Sequence, residues 1–171
     1  MIFGMLMPQP PDNHHLSAAI GWIELGNAIE ARLEFEKVSA EVRGSSEALE
    51  VEWVICVEER DWASGLAAAD RLAQTDAERP TGWLHRAYAL RRVTGGGLLA
   101  AWDALLPAHE KFPDEPIIPY NLSCYACQLG HLDEARTWLH RAIAIGGVET
   151  IQRMARHDTD LQPLWDELEG I

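Results

Sequence analysis

A pattern of small and apolar residues recurs four times along this chain, at intervals of 34, 36 and 34 residues. Each copy holds three positions, separated by four and then three residues, and this spacing places them on one face of a helix. The copies are Ala31, Phe35 and Val38; Gly65, Ala69 and Leu72; Ala101, Leu105 and Ala108; and Ala135, Leu139 and Ala142. A period near 34 residues is typical of stacked pairs of short helices. The repeat therefore predicts an all-α chain.

A second column of residues marks where the second helix of each pair begins. Its members are Ala28, Trp62, Leu98 and Leu132. First helices are predicted near residues 13–24, 46–59, 80–93 and 115–128, and second helices near 28–43, 62–76, 98–111 and 132–145. The third copy is two residues longer, and the glycine-rich turn at 94–97 accommodates them. Pro107 falls inside the sixth predicted helix and is expected to kink or divide it.

The predicted helices divide the chain into three parts. Residues 1–11 form an apolar arm that ends in prolines, and four repeats follow at about 12–45, 46–79, 80–115 and 116–147. Residues 148–171 hold a short helix over 148–156 and an acidic amphipathic helix over 160–169. One face of this last helix carries Leu161, Leu164, Trp165 and Leu168. Because a stack of repeats needs its last apolar face covered, this segment is predicted to form the C-terminal cap.

The segment from Tyr120 to Ala135 resembles a tetratricopeptide repeat (TPR), with leucine, small residue, aromatic residue, glycine and alanine in that family's order. Trp83, Ala87 and Leu90 match the first-helix positions of the family in the third repeat. The first two repeats depart from the pattern, since His15 stands where a tryptophan is usual and Gly65 replaces an alanine. The resemblance covers about residues 12–147 and implies a right-handed TPR-type α-solenoid of about four helix-turn-helix repeats.

In the TPR family the first helices of the repeats line a concave groove that binds polypeptides. Carried over column by column, the implied groove residues are Leu16, Ile20 and Ile23; Glu50, Val54 and Val57; Leu84, Tyr88 and Arg91; and Tyr120, Cys124 and Cys127. None of them is Lys or Asn, which disfavours a clamp for a partner's C-terminal carboxylate. We predict that Leu84, Tyr88 and Tyr120 are the main anchors and that they are exposed in the free monomer.

Charge excludes several classes of partner. The chain has 14 basic and 27 acidic residues, a net charge of −13, which would repel nucleic acid and anionic membranes. No apolar stretch approaches the length of a membrane span.

An acidic run holds Glu47, Glu50, Glu52, Glu58 and Glu59, and it is interpreted as a solvated helix face or as a docking face for a basic partner. Three cysteines in apolar helical stretches favour a reducing, cytoplasmic location.

Candidate chemical sites are weak in this sequence. Cys124, Cys127 and His131 share a helix face, but a fourth zinc ligand is missing, so no metal or other cofactor is predicted. Asp158 and Asp160 follow His157 at a helix start, where acidic residues are expected to cap. The sequence shows no catalytic triad, phosphate-binding loop or zinc-protease motif. We therefore predict that the chain is not an enzyme.

The resulting hypothesis is a protein-protein interaction module that binds a polypeptide segment in an apolar groove. One alternative is a small acidic TPR chaperone for secreted proteins, of the kind that serves type III secretion. Another is a self-associating structural protein whose groove is filled by the arm of a second copy. The arm carries Met1, Ile2, Phe3, Met5, Leu6 and Met7, and we predict that it fills a groove until a partner displaces it.

Overall fold

The structure is a computed structural model that describes residues 9–167. Within that range it contains nine α-helices and two 3-10 helices and no strand, which confirms the all-α prediction. The α-helices are α1 (Asp12–Glu24), α2 (Ala28–Phe35), α3 (Ser46–Glu59), α4 (Trp62–Thr75), α5 (Thr81–Leu90), α6 (Leu98–Lys111), α7 (Ile117–Gln128), α8 (Leu132–Gly146) and α9 (Val148–Ala155). The 3-10 helices cover Val42–Gly44 and Thr159–Glu167. Leu168 and residues 1–8 of the predicted arm lie outside the described residues.

The chain divides into two compact units, an N-terminal unit of Met1–His85 and a C-terminal unit of Arg86–Ile171. In the N-terminal unit α1 packs on α2, α3 packs on α4, and α3 also contacts α1 and α2. In the C-terminal unit α7 packs on α6 and α8, α8 packs on α9, and the second 3-10 helix packs on α7. Consecutive helices therefore pack on one another within each unit.

All twelve residues of the recurring pattern are buried in their own units. The column that was predicted to mark the second helices is confirmed, because α2, α4, α6 and α8 begin at Ala28, Trp62, Leu98 and Leu132. Small residues let the paired helices approach: a Cβ added at Gly65 would lie 3.3 Å from the Trp53 ring. The pattern thus identifies the buried face of each second helix.

The turns that join first to second helices repeat the same hydrogen bond in three pairs. The amide of Asn27 donates to the Trp22 carbonyl and that of Asp61 to the Cys56 carbonyl, both at 2.9 Å. His131 makes the equivalent bond before α8, also at 2.9 Å. A left-handed residue precedes each donor, and it is glycine in two of the pairs but Arg60 in the other. This shared turn sets the same start for α2, α4 and α8.

Three predicted helix boundaries are wrong, and a particular hydrogen bond or residue explains each. Helix α2 stops at Phe35 rather than near residue 43, because Asp12 accepts the Ser39 amide at 2.7 Å and withdraws it from the helix. Helix α5 stops at Leu90 rather than 93, since the Leu90 carbonyl accepts the Gly97 amide at 2.8 Å. A Cβ on Gly96 would lie 2.0 Å from that carbonyl oxygen, so the turn requires glycine there.

The last boundary concerns the cap. The predicted α-helix over 160–169 is a 3-10 helix over Thr159–Glu167. Pro163 lies inside it and cannot donate the backbone hydrogen bond that an α-helix needs. Leu161 and Leu164 are nevertheless buried, and the Trp165 indole donates to the Ala155 carbonyl at 2.9 Å.

Pro107 does not divide α6, which runs unbroken over Leu98–Lys111. The proline is on the exposed side of the helix. The carbonyl of Asp103, four residues earlier, therefore loses its helical donor where water can replace it. Of the two effects expected of Pro107, a kink or a division of the helix, the division is wrong for that reason.

Candidate functional site

An apolar pocket lies between α1 and α3 in the N-terminal unit. Its volume is about 440 Å³. The aliphatic lining consists of Leu16, Ile20, Ile23, Val51 and Val54. Ile20 is 44% exposed although it is a large apolar residue, so the pocket opens to solvent. Five of the implied groove residues therefore meet in one pocket, namely Leu16, Ile20, Ile23, Glu50 and Val54.

Helix geometry explains why these side chains converge. Leu16, Ile20 and Ile23 are spaced by four and three residues, so they share one face of α1. Small residues on the neighbouring face, Ala19 and Ala48, belong to the core in which α1 and α3 meet. Both are fully buried, which lets the two helices approach closely, whereas Ile20 stands at the open edge.

The rim of the pocket is acidic. Glu24, Glu47 and Glu50 are among its lining residues, and none of the lining residues is basic. Glu50 pairs with the guanidinium of Arg79. Among residues 9–167, neither Glu24 nor Glu47 has an ion-pair partner. Two carboxylates beside an apolar surface therefore remain available to a ligand.

Asn13 is also a lining residue of the pocket. Its side-chain oxygen Oδ1 is shielded from solvent and accepts no hydrogen bond from the part of the chain that the structure describes. Leaving a buried acceptor unpaired costs about 1–3 kcal/mol.

The remainder of the acidic run is largely paired with arginines. Arg32 donates to Glu59 at 2.6 Å, and Arg71 donates to Glu52 at 3.3 Å. With Glu50 held by Arg79, three of the five glutamates in the run have cationic partners. The paired members form a solvated ionic face, and Glu47 is the member that lines the pocket without a partner among residues 9–167.

In the C-terminal unit the predicted groove residues Arg91, Tyr120 and Cys124 are contacted by the chain itself. The Tyr120 hydroxyl donates to Asp158 at 2.9 Å, and the Cys124 thiol donates to the same carboxylate at 3.5 Å. Arg91 binds the Asp160 carboxylate through both terminal nitrogens of its guanidinium. Gln128 donates to the Asp160 carbonyl at 3.0 Å. Hydrogen bonds therefore hold the segment that follows α9 against α7.

This cover corrects one expectation and gives Asp158 a role beyond the capping that was expected of it. Tyr120 is only 4% exposed, so the prediction that it is exposed in the free monomer was wrong. Asp158 does accept the Asp160 amide, at 3.0 Å, as a capping residue would, but its other oxygen holds Tyr120 and Cys124. Burial, together with the nearby acidic groups, raises the pKa of the Tyr120 hydroxyl and the Cys124 thiol. Both groups stay protonated and can donate.

The other predicted groove residues lie outside the pocket. Val57 and Leu84 are half-buried, and Cys127 is buried. Tyr88 is 38% exposed, and the guanidinium carbon of Arg92 lies 3.5 Å from the centre of its ring. Sequence reasoning identified Glu50 as a groove residue but missed Val51, Glu24 and Glu47. Val51 precedes Val54 by three residues, so the helical repeat could have identified it.

One cluster has the composition of a metal site. Potential ligand atoms of Cys124, Asp158 and Asp160 lie within 4.8 Å of one another. Arg91 already neutralises Asp160, and Tyr120 donates to Asp158, so the carboxylates are satisfied without an ion. The set considered from the sequence is different, because it includes His131, which is exposed and outside this cluster.

Across residues 9–167, no helix combines the length and apolar character needed to cross a membrane.

No family model matches the chain and no curated protein matches it, so the resemblance to TPR proteins rests on the residue columns described above.

Proposed function

We propose that this chain is a cytoplasmic protein-interaction module with a right-handed TPR-type solenoid of about four repeats. It acts without a cofactor and binds a polypeptide segment of another protein. The pocket between α1 and α3 is the principal contact site. The observation that carries this proposal is an open pocket of about 440 Å³ whose floor is aliphatic.

Binding by such a pocket follows from burial of apolar surface. Transfer of one leucine-sized side chain from water to an apolar site is worth about 1.5–3 kcal/mol. Aliphatic side chains supply no acid, base or nucleophile, so the floor favours recognition over catalysis. A helix or extended segment with two or three apolar anchors would match the helical spacing of Leu16, Ile20 and Ile23.

Self-association is a second candidate because α2 has an exposed apolar face. Ile29 and Leu33 are four residues apart and are 73% and 47% exposed. Leu25, just after α1, is 76% exposed. Three large apolar side chains near one another could meet the same surface of a second copy.

Two matched substitutions separate these functions. Ile20→Glu places a charge at the open edge of the pocket, whereas Ile29→Glu makes the same change on the exposed face of α2. Peptides are selected from a displayed random library on the parent, and their affinities are then measured for all three proteins by fluorescence anisotropy. We expect Ile20→Glu to weaken binding at least about tenfold, because a carboxylate is costly against an apolar ligand.

Ile29→Glu is the control for binding and should leave peptide affinity unchanged. Circular dichroism of both variants checks that helical content is retained. Sedimentation equilibrium of the parent and of Ile29→Glu tests self-association. Equal peptide affinity in the parent and Ile20→Glu would refute the pocket as the binding site, and a dimer lost only in Ile29→Glu would support the second candidate.

A further inference from the structure

The N-terminal pocket combines apolar and acidic surfaces in a way that restricts its ligand. Glu24 and Glu47 line it together with the aliphatic floor, and no cation among residues 9–167 pairs with either carboxylate. A neutral apolar ligand would leave these charges close to newly buried surface, where loss of water weakens their solvation. A ligand that carries positive charges beside its apolar anchors would fill the aliphatic floor and also pair with the two carboxylates.

The C-terminal unit shows how this chain covers the corresponding helix face. In the repeat columns, Tyr120 and Cys124 occupy the positions that Glu50 and Val54 occupy in the N-terminal unit. A segment carrying Asp158 covers that face, and its Asp160 pairs with Arg91. The segment that covers this face is therefore acidic and meets an arginine.

The N-terminal pocket has the opposite sign. Its unpaired rim residues are carboxylates, so a segment like the one around Asp158 would be repelled there. The chain's net charge of −13 also favours the approach of a cationic partner.

Resting on the function proposed above, we propose that the pocket binds a basic amphipathic segment of another protein. Apolar side chains of that segment fill the floor, and its Lys or Arg side chains pair with Glu24 and Glu47. The chain's own arm fits this chemistry poorly, since residues 1–8 contain no Lys or Arg. The occupant is therefore a separate polypeptide rather than the arm.

Three synthetic amphipathic peptides of equal length test the charge requirement on the full chain. They share one apolar face and carry Lys, Gln or Glu at the positions flanking it. Two exposed ion pairs are worth about 1.4 kcal/mol together, so the Lys peptide should bind about tenfold more tightly than the Gln peptide. The advantage should shrink as salt is raised, and the Glu peptide should bind most weakly.

A pair of double variants locates the effect. Glu24→Gln with Glu47→Gln removes both rim charges, whereas Glu36→Gln with Glu58→Gln removes two exposed charges outside the pocket and changes net charge equally. Only the first pair should abolish the preference for Lys over Gln, and it should leave Gln-peptide affinity unchanged. An equal loss in both pairs would mean that general attraction, not the rim, selects the ligand, and would overturn the proposal.

Other outcomes separate this inference from the proposed function. Equal affinity for the Lys and Gln peptides, with both lost in Ile20→Glu, would overturn the charge requirement and leave the binding function intact. Binding of none of the peptides, while library-selected ligands still require Ile20, would likewise overturn only the inference. If deletion of residues 1–8 raises affinity for all three peptides equally, the arm is the occupant and the proposal is wrong. Self-association lost in Ile20→Glu would assign the pocket to a second copy and also overturn it.

Discussion

His85 on α5 should make the stability of this protein depend on pH. Its ring stacks on Trp53, with ring centres 4.4 Å apart and planes inclined by 12°. Burial disfavours the charged imidazolium and lowers the pKa of His85 from 6.5 to about 4. The folded protein therefore keeps this ring neutral at pH values where the unfolded chain protonates it.

The sign and size of the effect follow from that difference. Between pH 6.5 and about 4 the unfolded state binds more protons, so the free energy of unfolding falls as pH falls. Each pKa unit corresponds to about 1.4 kcal/mol, and the ring is only half-buried, so we expect a total loss of about 2–3 kcal/mol. The titration of His85 therefore leaves the free energy of unfolding unchanged above pH 6.5, and it lowers that free energy progressively as the pH falls from 6.5 to about 4.

His85→Phe tests this reasoning because phenylalanine can stack on Trp53 but cannot titrate. Urea denaturation of both proteins is followed by circular dichroism at several pH values from about 7.5 to about 4.5. Other groups contribute equally in both, including Asp12 and Asp61, whose pKa values are lowered by hydrogen bonds from Ser39 and Ser64. The difference between the two curves isolates His85.

We expect the parent to lose stability relative to His85→Phe as pH falls below 6.5. At neutral pH the two should differ by no more than about 1.5 kcal/mol, the scale of an aromatic stacking contribution. Parallel curves throughout the range would show that the His85 ring is not kept neutral by burial, and would refute the reasoning.

Two further predictions concern packing and metal. Ala135→Leu should lower the free energy of unfolding by about 1–3 kcal/mol, because Ala135 is fully buried between packed helices and its carbonyl accepts the Ser123 hydroxyl. An unchanged urea midpoint would contradict the packing of α8 described here. A chelator should leave the melting temperature unchanged, since Arg91 and Tyr120 already satisfy the carboxylates near Cys124. A drop of several degrees on chelation would show that the cluster holds a structural metal.

The sequence by itself determined which residues form the interior of each helix pair. The spacing of four and three residues identified one buried face in every second helix, and Ala28, Trp62, Leu98 and Leu132 marked the helix starts. Such information is local, since helical periodicity and small-residue columns depend only on neighbours within one turn or two. The same columns brought Ile20 and Val54 to one pocket.

The C-terminal ends of α2 and α5 were decided by hydrogen bonds that involve residues beyond each helix. Asp12 ends α2 by binding Ser39, which lies 27 residues away. The Gly97 amide closes α5 by reaching back to the Leu90 carbonyl. Neither hydrogen bond leaves a periodic signal, because each depends on where a turn brings a single donor.

Only the tertiary structure decided which predicted groove residues remain open. Tyr120 and Ile20 belong to the same kind of column, yet Tyr120 is covered by Asp158 and Ile20 is exposed beside an acidic rim. Column position indicates the face of a helix on which a residue lies, but it does not indicate what packs against that face. That outcome depends on where the C-terminal segment folds back, and its hydrogen bond from Tyr120 to Asp158 joins residues 38 positions apart.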